Sequence, residues 1–268
     1  MNAKANNING IDKARELYEK LYLAAKRSET RRFHALYDKV YRRDILELSW
    51  RKVKENHGSA GVDDESIEDI LRKGEDSVVD EVQQGLQRNV YRPRNVKRVY
   101  IPKPDGRKRP LGIPTVRDRL VQTATKFVTE PIFEADFLNC SYGFRPNRCA
   151  HDANEEIRLG MNKGFRMVLD ADIKGFFDNI DHKKLLEFVQ RRISDRRVLK
   201  LIRKWLRCGV LDSGVVHESD TGTPQGGVIS PLLANIYLHE FDKYWMTQKE
   251  VNGILVRYAD DCAPRSYM

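Results

Sequence analysis

The chain has 268 residues, 40% of them apolar and 32% charged, with a formal net charge of +9 at neutral pH. That is enough apolar material for one large domain or two small ones, and the basic excess favours polyanionic partners. No stretch approaches the ~18 uninterrupted apolar residues of a membrane span, and the polar start MNAKANNING has no apolar signal core, so a membrane or secreted protein is not expected. Cys140, Cys149, Cys208 and Cys262 are scattered without a CxxC pair, which argues against a disulfide scaffold or structural zinc and for a reducing compartment.

From Ile11 to about Asn56 apolar residues recur at helical spacing. Ala14, Leu17, Leu21 and Ala24 form one run; Phe33, Leu36, Val40, Ile45, Leu48 and Val53 form another. The glycines of GSAGVD break the pattern, and Ser66 to Gln87 reads as a further, acidic helical stretch. The tone changes at Tyr91. Ten cations lie between Arg92 and Arg119, opposed only by Asp105 and Asp118. Val96 to Ile101 has β character and Pro104-Asp105-Gly106 is a turn signal, which predicts a basic hairpin with its tip at Pro102 to Arg107. Cations on its two arms can converge on one phosphate chain, whereas a solvated charge run spreads them.

A helix is expected over Val116 to Val128, followed by the aromatic turn SYGFRP. Met167-Val168-Leu169 then reads as a short buried strand running into Asp170 and Asp172. Helices are expected around His182–Arg192 and Arg197–Cys208. The turn GTPQGG leads into an apolar helix from about Pro231 to Trp245, and Ile254 to Tyr258 is a strand ending in Asp260-Asp261. Acids closing two core strands need compensation. An Arg or Lys partner would make them a structural ion pair; otherwise a divalent metal answers their repulsion. The donors are hard oxygens without His or Cys neighbours, which suits Mg²⁺ or Mn²⁺ and not zinc.

Taken in order, GSAGVD, IPKPDGRKRPLGIPTVRDRLVQ, SYGFRPNRCAHDA, LDADIKGFFDNIDH, GTPQGGVISPLLANIYLHEFD and VRYADD resemble the reverse transcriptases of group II introns, the intron-encoded maturase proteins. The resemblance runs from about Phe33 to Asp261. It implies an α+β fold, the fingers and palm of a right-hand polymerase, with an antiparallel palm sheet backed by helices and the thumb missing. The division it implies is a helical N-terminal extension over 1–62, fingers with part of the palm over 63–165, palm with the carboxylates over 166–261, and a divergent truncated tail over 262–268.

The resemblance also implies a chemistry: RNA-directed DNA synthesis, adding dNTPs to a primer 3′-hydroxyl by two-metal phosphoryl transfer in intron mobility. Asp172, Asp260 and Asp261 match the catalytic acids, with two Mg²⁺ ions (or Mn²⁺) held by them and by the backbone carbonyl of Ile173. Lys103 and Arg109 match the cations that grip the triphosphate. Phe177 matches the residue beneath the sugar, although core packing and Phe176 compete for that assignment. Gln225 and Gly226 match the surroundings of the nascent base pair. Arg92, Arg94, Lys97 and Arg98 are expected on nucleic acid, as is Arg145 unless it pairs with an acid. The implied partners are an RNA template, a DNA or RNA primer, dNTPs and group II intron RNA, in a bacterial cytoplasm or organellar matrix.

The sequence departs from the family at Asn147 and Cys149, and after Asp261. There Pro264 is expected to interrupt the return strand of the YADD hairpin, because proline has no ladder donor. A chain so altered would bind intron RNA without synthesis, which is the alternative reading. The wording GGVISPLLANI disfavours a retron or diversity-generating reverse transcriptase.

Overall fold

The computed structural model describes residues 2–102, 106–218, 221–223, 226–248 and 253–266. The N-terminal region is helical: α1 (Asn2–Lys26), α2 (Tyr37–Val40) and α3 (Arg43–Glu55). The apolar stripe Ala14, Leu17, Leu21 and Ala25 of α1, and Ile45, Leu46, Trp50 and Val53 of α3, are buried. Both helices pack on α6 (Val116–Glu134), the buried spine of this half. Thr115 caps α6 by accepting the Asp118 amide at 3.1 Å. Inside it Thr123, Thr125 and Thr129 return their hydroxyls to carbonyls four residues back, which lets polar side chains stay buried. The expected helical stretch from Ser66 to Gln87 is two helices, α4 (Ile67–Lys73) and α5 (Glu75–Gln87), divided at Gly74, whose φ is +100°.

The predicted basic hairpin is present as β1 (Val96–Pro102) and β2 (Lys108–Ile113), with Pro102 opposite Lys108. After α7 (Ala150–Asn162), which periodicity did not single out, come β3 (Met167–Val168), β4 (Ala171–Asp172), α8 (His182–Arg192) and α9 (Arg196–Leu206). Asp181 and Asp195 start these last two helices by accepting backbone amides. A second hairpin follows, β5 (Val210–Asp212) and β6 (Val215–His217), and β5 pairs parallel with β1. The fingers sheet therefore has the order β2-β1-β5-β6, and it draws two strands from a stretch assigned to the palm on sequence. The turn Ser213-Gly214, both at positive φ, is the two-residue connection such a hairpin needs.

The palm sheet is antiparallel. After α10 (Ser230–Thr247), β7 (Gly253–Tyr258) turns into β8 (Asp261–Ser266), which also pairs with β3 and β4. Two expectations are corrected here. The run Met167-Val168-Leu169 is not a buried strand: all three residues are about half exposed or more, because β3 lies at the open edge of the sheet. Nor does Pro264 break the return strand, since β8 runs through it with Leu255 opposite. On its other side β3 and β4 hold one register to β8 but are interrupted at Leu169-Asp170, the positions that register sets against Pro264 and Ala263. The chain thus breaks a ladder where proline could not fully serve it.

One apolar core runs from Ala14 through α6 and α8 to Leu238 of α10. At its margin the His239 ring meets Phe137 at 5.6 Å, and burial, then Lys243, lowers its pKa to about 4. The unfolded chain binds the proton near 6.5, so stability is lost as pH falls from there toward 4. Urea melts should show the parent losing about 2 kcal/mol more than His239→Gln between pH 7 and pH 5.

Candidate active site

Asp172 closes β4 and Asp261 opens β8, and the two are paired across the ladder. Residues directly opposite on antiparallel strands share a face, so the carboxylates are neighbours. Asp260 stands in the two-residue turn just before. Asp172 and Asp261 are exposed and Asp260 is half-buried, so the expected cost of burial is small. What remains is repulsion. Burial, then Asp260, Asp172 and Asp170, push the Asp261 carboxyl above its ordinary value. Among the described residues no Lys or Arg forms an ion pair with any of these four acids. Nor do three His, Cys, Asp or Glu side chains there close into a ready-made metal cage. The donor set is all hard oxygen and uncompensated, and on that chemistry it fits Mg²⁺ or Mn²⁺. The Ile173 carbonyl accepts the Phe176 amide at 3.1 Å and keeps a second lone pair.

The turn carrying Asp260 is held from below. Ala259 sits at φ +58°, a left-handed conformation that a residue other than glycine adopts only when its surroundings impose it. Its carbonyl accepts Arg257 Nη1 at 2.8 Å. Arg257 is wholly buried and all five of its N–H groups are used. Nε and Nη2 donate to the two oxygens of the equally buried Asp242 at 2.7 and 2.6 Å, Nη1 also to Asn235 Oδ1 at 3.1 Å, and Nη2 also to Ser141 Oγ at 2.7 Å. Asn235 then donates to the Gly143 carbonyl at 2.9 Å. A side chain at Gly143 would place its Cβ 2.4 Å from the Ala259 nitrogen, so the SYGF turn presses directly on the acid turn.

A second set of contacts shapes the adjoining wall. Gly222 and Thr223 donate their amides to the carbonyls of Ile180 and Phe177 at 2.9 and 2.7 Å. His182 Nε2 lies 2.6 Å from the Gly222 carbonyl, which can only accept, so that nitrogen carries the proton. Gly222 has φ +82°, and a Cβ there would meet the Phe177 carbonyl at 2.7 Å. The turn is thereby latched to the Phe176–Asp178 helical turn that follows the first acid.

Comparison with known proteins decides the family. Residues 101–264 match the family described as Reverse transcriptase (RNA-dependent DNA polymerase). The chain belongs to that family. The chain is 39% identical over 220 residues to the group II intron-encoded protein LtrA of Lactococcus lactis subsp. cremoris, covering 81% of this chain and 36% of that protein. It is 48% identical over 159 residues to protein YkfC of Escherichia coli (strain K12), covering 58% and 42%. It therefore spans less than half the length of either curated relative. Its fold matches a chain of a partial Cas6-RT-Cas1–Cas2 complex with a TM-score of 0.54 at 23% identity, covering 87% of this chain and 38% of that one.

The other residues expected at the site have varied positions. Lys103 and Gln225 lie outside the described residues. Arg109 is exposed on β2 opposite Ile101. Phe177 is buried beneath the Gly222–Thr223 turn and meets Phe176 edge-on at 5.6 Å, while Phe176 also faces Tyr237 of α10. Gly226, at φ +108°, has a packing reason to be glycine: a Cβ there would lie 2.6 Å from the Gly112 carbonyl of β2. Arg92 and Arg94 are exposed, and Lys97 reaches Asp64 at 2.7 Å in a surface pair weak enough to yield to phosphate. Arg98 is half-buried on β1. Arg145 is corrected. It is buried, chelates Glu134 through Nε and Nη2, and donates Nη1 to the carbonyls of Leu138 and Ser141, so it makes the acid pairing that the sequence left open and is held inside the fold. Arg257, Asp242 and His182 were missed. Their signal was present: Arg257 occupies an inward phase of an apolar strand, and Asn235 and Asp242 recur seven residues apart on an apolar helix.

Proposed function

We propose that the chain carries RNA-templated DNA synthesis in group II intron mobility, adding a dNTP to a primer 3′-hydroxyl. The supporting observation is the set Asp172, Asp260 and Asp261, without an ion-pair partner among the described residues and brought together by the β4–β8 pairing and the turn after Tyr258. Asp172 and Asp260 would hold the two Mg²⁺ or Mn²⁺ ions, with Asp261 and the Ile173 carbonyl beside them. When bound, such ions make the primer hydroxyl more acidic and neutralise the departing pyrophosphate.

The rest belongs to the chain's own residues. Arg109, exposed on β2, would grip the triphosphate oxygens together with Lys103 and hold the α-phosphorus in line with the primer oxygen. The primer oxygen then bonds to phosphorus as the bridging oxygen leaves with pyrophosphate. Phe177 would close the space under C2′ and disfavour a ribose hydroxyl, and Gln225 would stand beside the new base pair. Arg92, Arg94, Lys97 and Arg98 would track the phosphate backbone, while base pairing reads the sequence. The continuous β8 speaks against binding without synthesis only in so far as that alternative rested on a broken return strand. Intron RNA is the proposed partner, in whichever compartment holds the intron, and no helix among the described residues is long and apolar enough to cross a membrane.

Primer extension on an RNA template with dNTPs tests this. Templated products are expected with Mg²⁺ or Mn²⁺ and not with EDTA. A folded chain that extends nothing with either metal would sink the proposal.

A further inference from the structure

Helix α9, Arg196–Leu206, has the sequence RRVLKLIRKWL and contains no acid. Val198, Leu201, Ile202, Trp205 and Leu206 are buried. Arg196, Lys200 and Arg203 stand on the opposite side, at spacings of four and three, and the C-cap Arg207 continues the line four residues on. All four are exposed. At 1.5 Å per residue the stripe is about 16 Å long, enough to lie along several phosphates of one strand.

Exposed helix faces ordinarily interleave opposite charges, because like charges three or four apart repel. Here nothing interleaves. Among the described residues none of these four cations forms an ion pair with an acid. The nearest carboxylate, Asp195, is buried and spends its oxygens on the amides of Leu36, Tyr37, Arg197 and Val198. Arg197 is 4.0 Å from Asp195 and stacks on Tyr37 at 4.7 Å instead of joining the stripe. Lys204 donates to the Tyr91 carbonyl at 2.7 Å and feels both Lys200 and Arg92, so the stripe continues into the start of the basic segment.

We infer that this face of α9 is a docking surface for the phosphate backbone of structured RNA, a site separate from the carboxylate cleft. A rigid line of cations on a helix anchored by five buried apolar side chains suits a regular polyanion better than a flexible acidic peptide. Repulsion along the free helix is relieved when phosphates neutralise it, so binding energy is stored in the unbound state. The inference requires nucleic acid as a ligand, which the proposed function also requires, but it does not require synthesis.

The test is the full chain carrying Arg196→Gln, Lys200→Gln and Arg203→Gln together, compared with the parent in EDTA. The probe is a blunt RNA hairpin of about 20 base pairs, too regular to serve as a primer-template, titrated by fluorescence anisotropy over a range of salt. The variant is expected to melt at or above the parent's temperature. Its affinity near 0.1 M salt should fall at least about tenfold, and the slope of log K against log salt should shrink by about 2 to 3. An unchanged affinity and slope in the folded variant overturns the inference. So does a variant that loses binding to phosphatidylserine vesicles while keeping its RNA affinity. Because EDTA removes synthesis from the assay, failure of primer extension does not bear on either result.

Discussion

Asp260→Ala is expected to abolish primer extension while leaving the metal-free protein at least as stable as the parent. The two halves have one cause. Asp172, Asp261 and Asp260 are held close by the β4–β8 pairing and the adjoining turn, with no ion-paired cation among the described residues, and burial, then the neighbouring acids, raises the Asp261 pKa. Deleting one charge from an exposed cluster relieves up to about 1 kcal/mol of repulsion. A ligand for metal is lost with it, and metal assistance to phosphoryl transfer is worth several kcal/mol, so extension should fall about a thousandfold or more. Differential scanning fluorimetry separates the effects. The parent should gain melting temperature on adding Mn²⁺, because a ligand that binds only the folded state stabilises it. Asp260→Ala should start equal or higher and gain little. A variant that melts lower without metal would mean that Asp260 is a structural partner, and the metal-holding role would fall.

Much of this arrangement was legible in the sequence because local rules coincided with global ones. The β1–β2 hairpin followed from β-branched residues around Pro104-Asp105-Gly106, and α8 lies where a helix was expected, at His182–Arg192. Other features escaped because tertiary placement decided them. Met167-Val168-Leu169 has the composition of a core strand, yet it lies at a sheet edge, and no pattern within the segment distinguishes edge from centre. The β5–β6 hairpin was hidden by its short strands, although Ser213-Gly214 marks its turn. Arg145 looked like a template contact because a lone Arg in an aromatic loop carries no sign of Glu134, eleven residues earlier on α6. Pro264 was judged by a rule for unbroken ladders and sits beside a broken one. The acids lie at strand ends, as their place after apolar runs suggests, but they are not buried there. Their spacing is a local property and their exposure is not.

Arg257→Met is expected to cost about 3 to 5 kcal/mol of folding stability, because it leaves Asp242 buried with no counter-charge. A second effect tells positioning from mere stability. Arg257 Nη1 holds the Ala259 carbonyl, and Ala259 is the left-handed residue that turns Asp260 out of β7. Arg257→Met with Asp242→Leu removes both charges, and replacing a buried pair by apolar groups can restore most of the lost stability. The double variant should therefore melt near the parent. It still lacks the donor to Ala259, so the acid turn is free to relax toward an ordinary backbone conformation. If Arg257 acts through that turn, the double variant should need a higher Mg²⁺ concentration for half-maximal extension even though it is folded. If the network serves the fold alone, recovered stability should bring back the parent's metal dependence. The chemistry of the guanidinium favours the first outcome: a lysine could balance Asp242, but only a planar fork with five donors reaches Asp242, Asn235, Ser141 and Ala259 together.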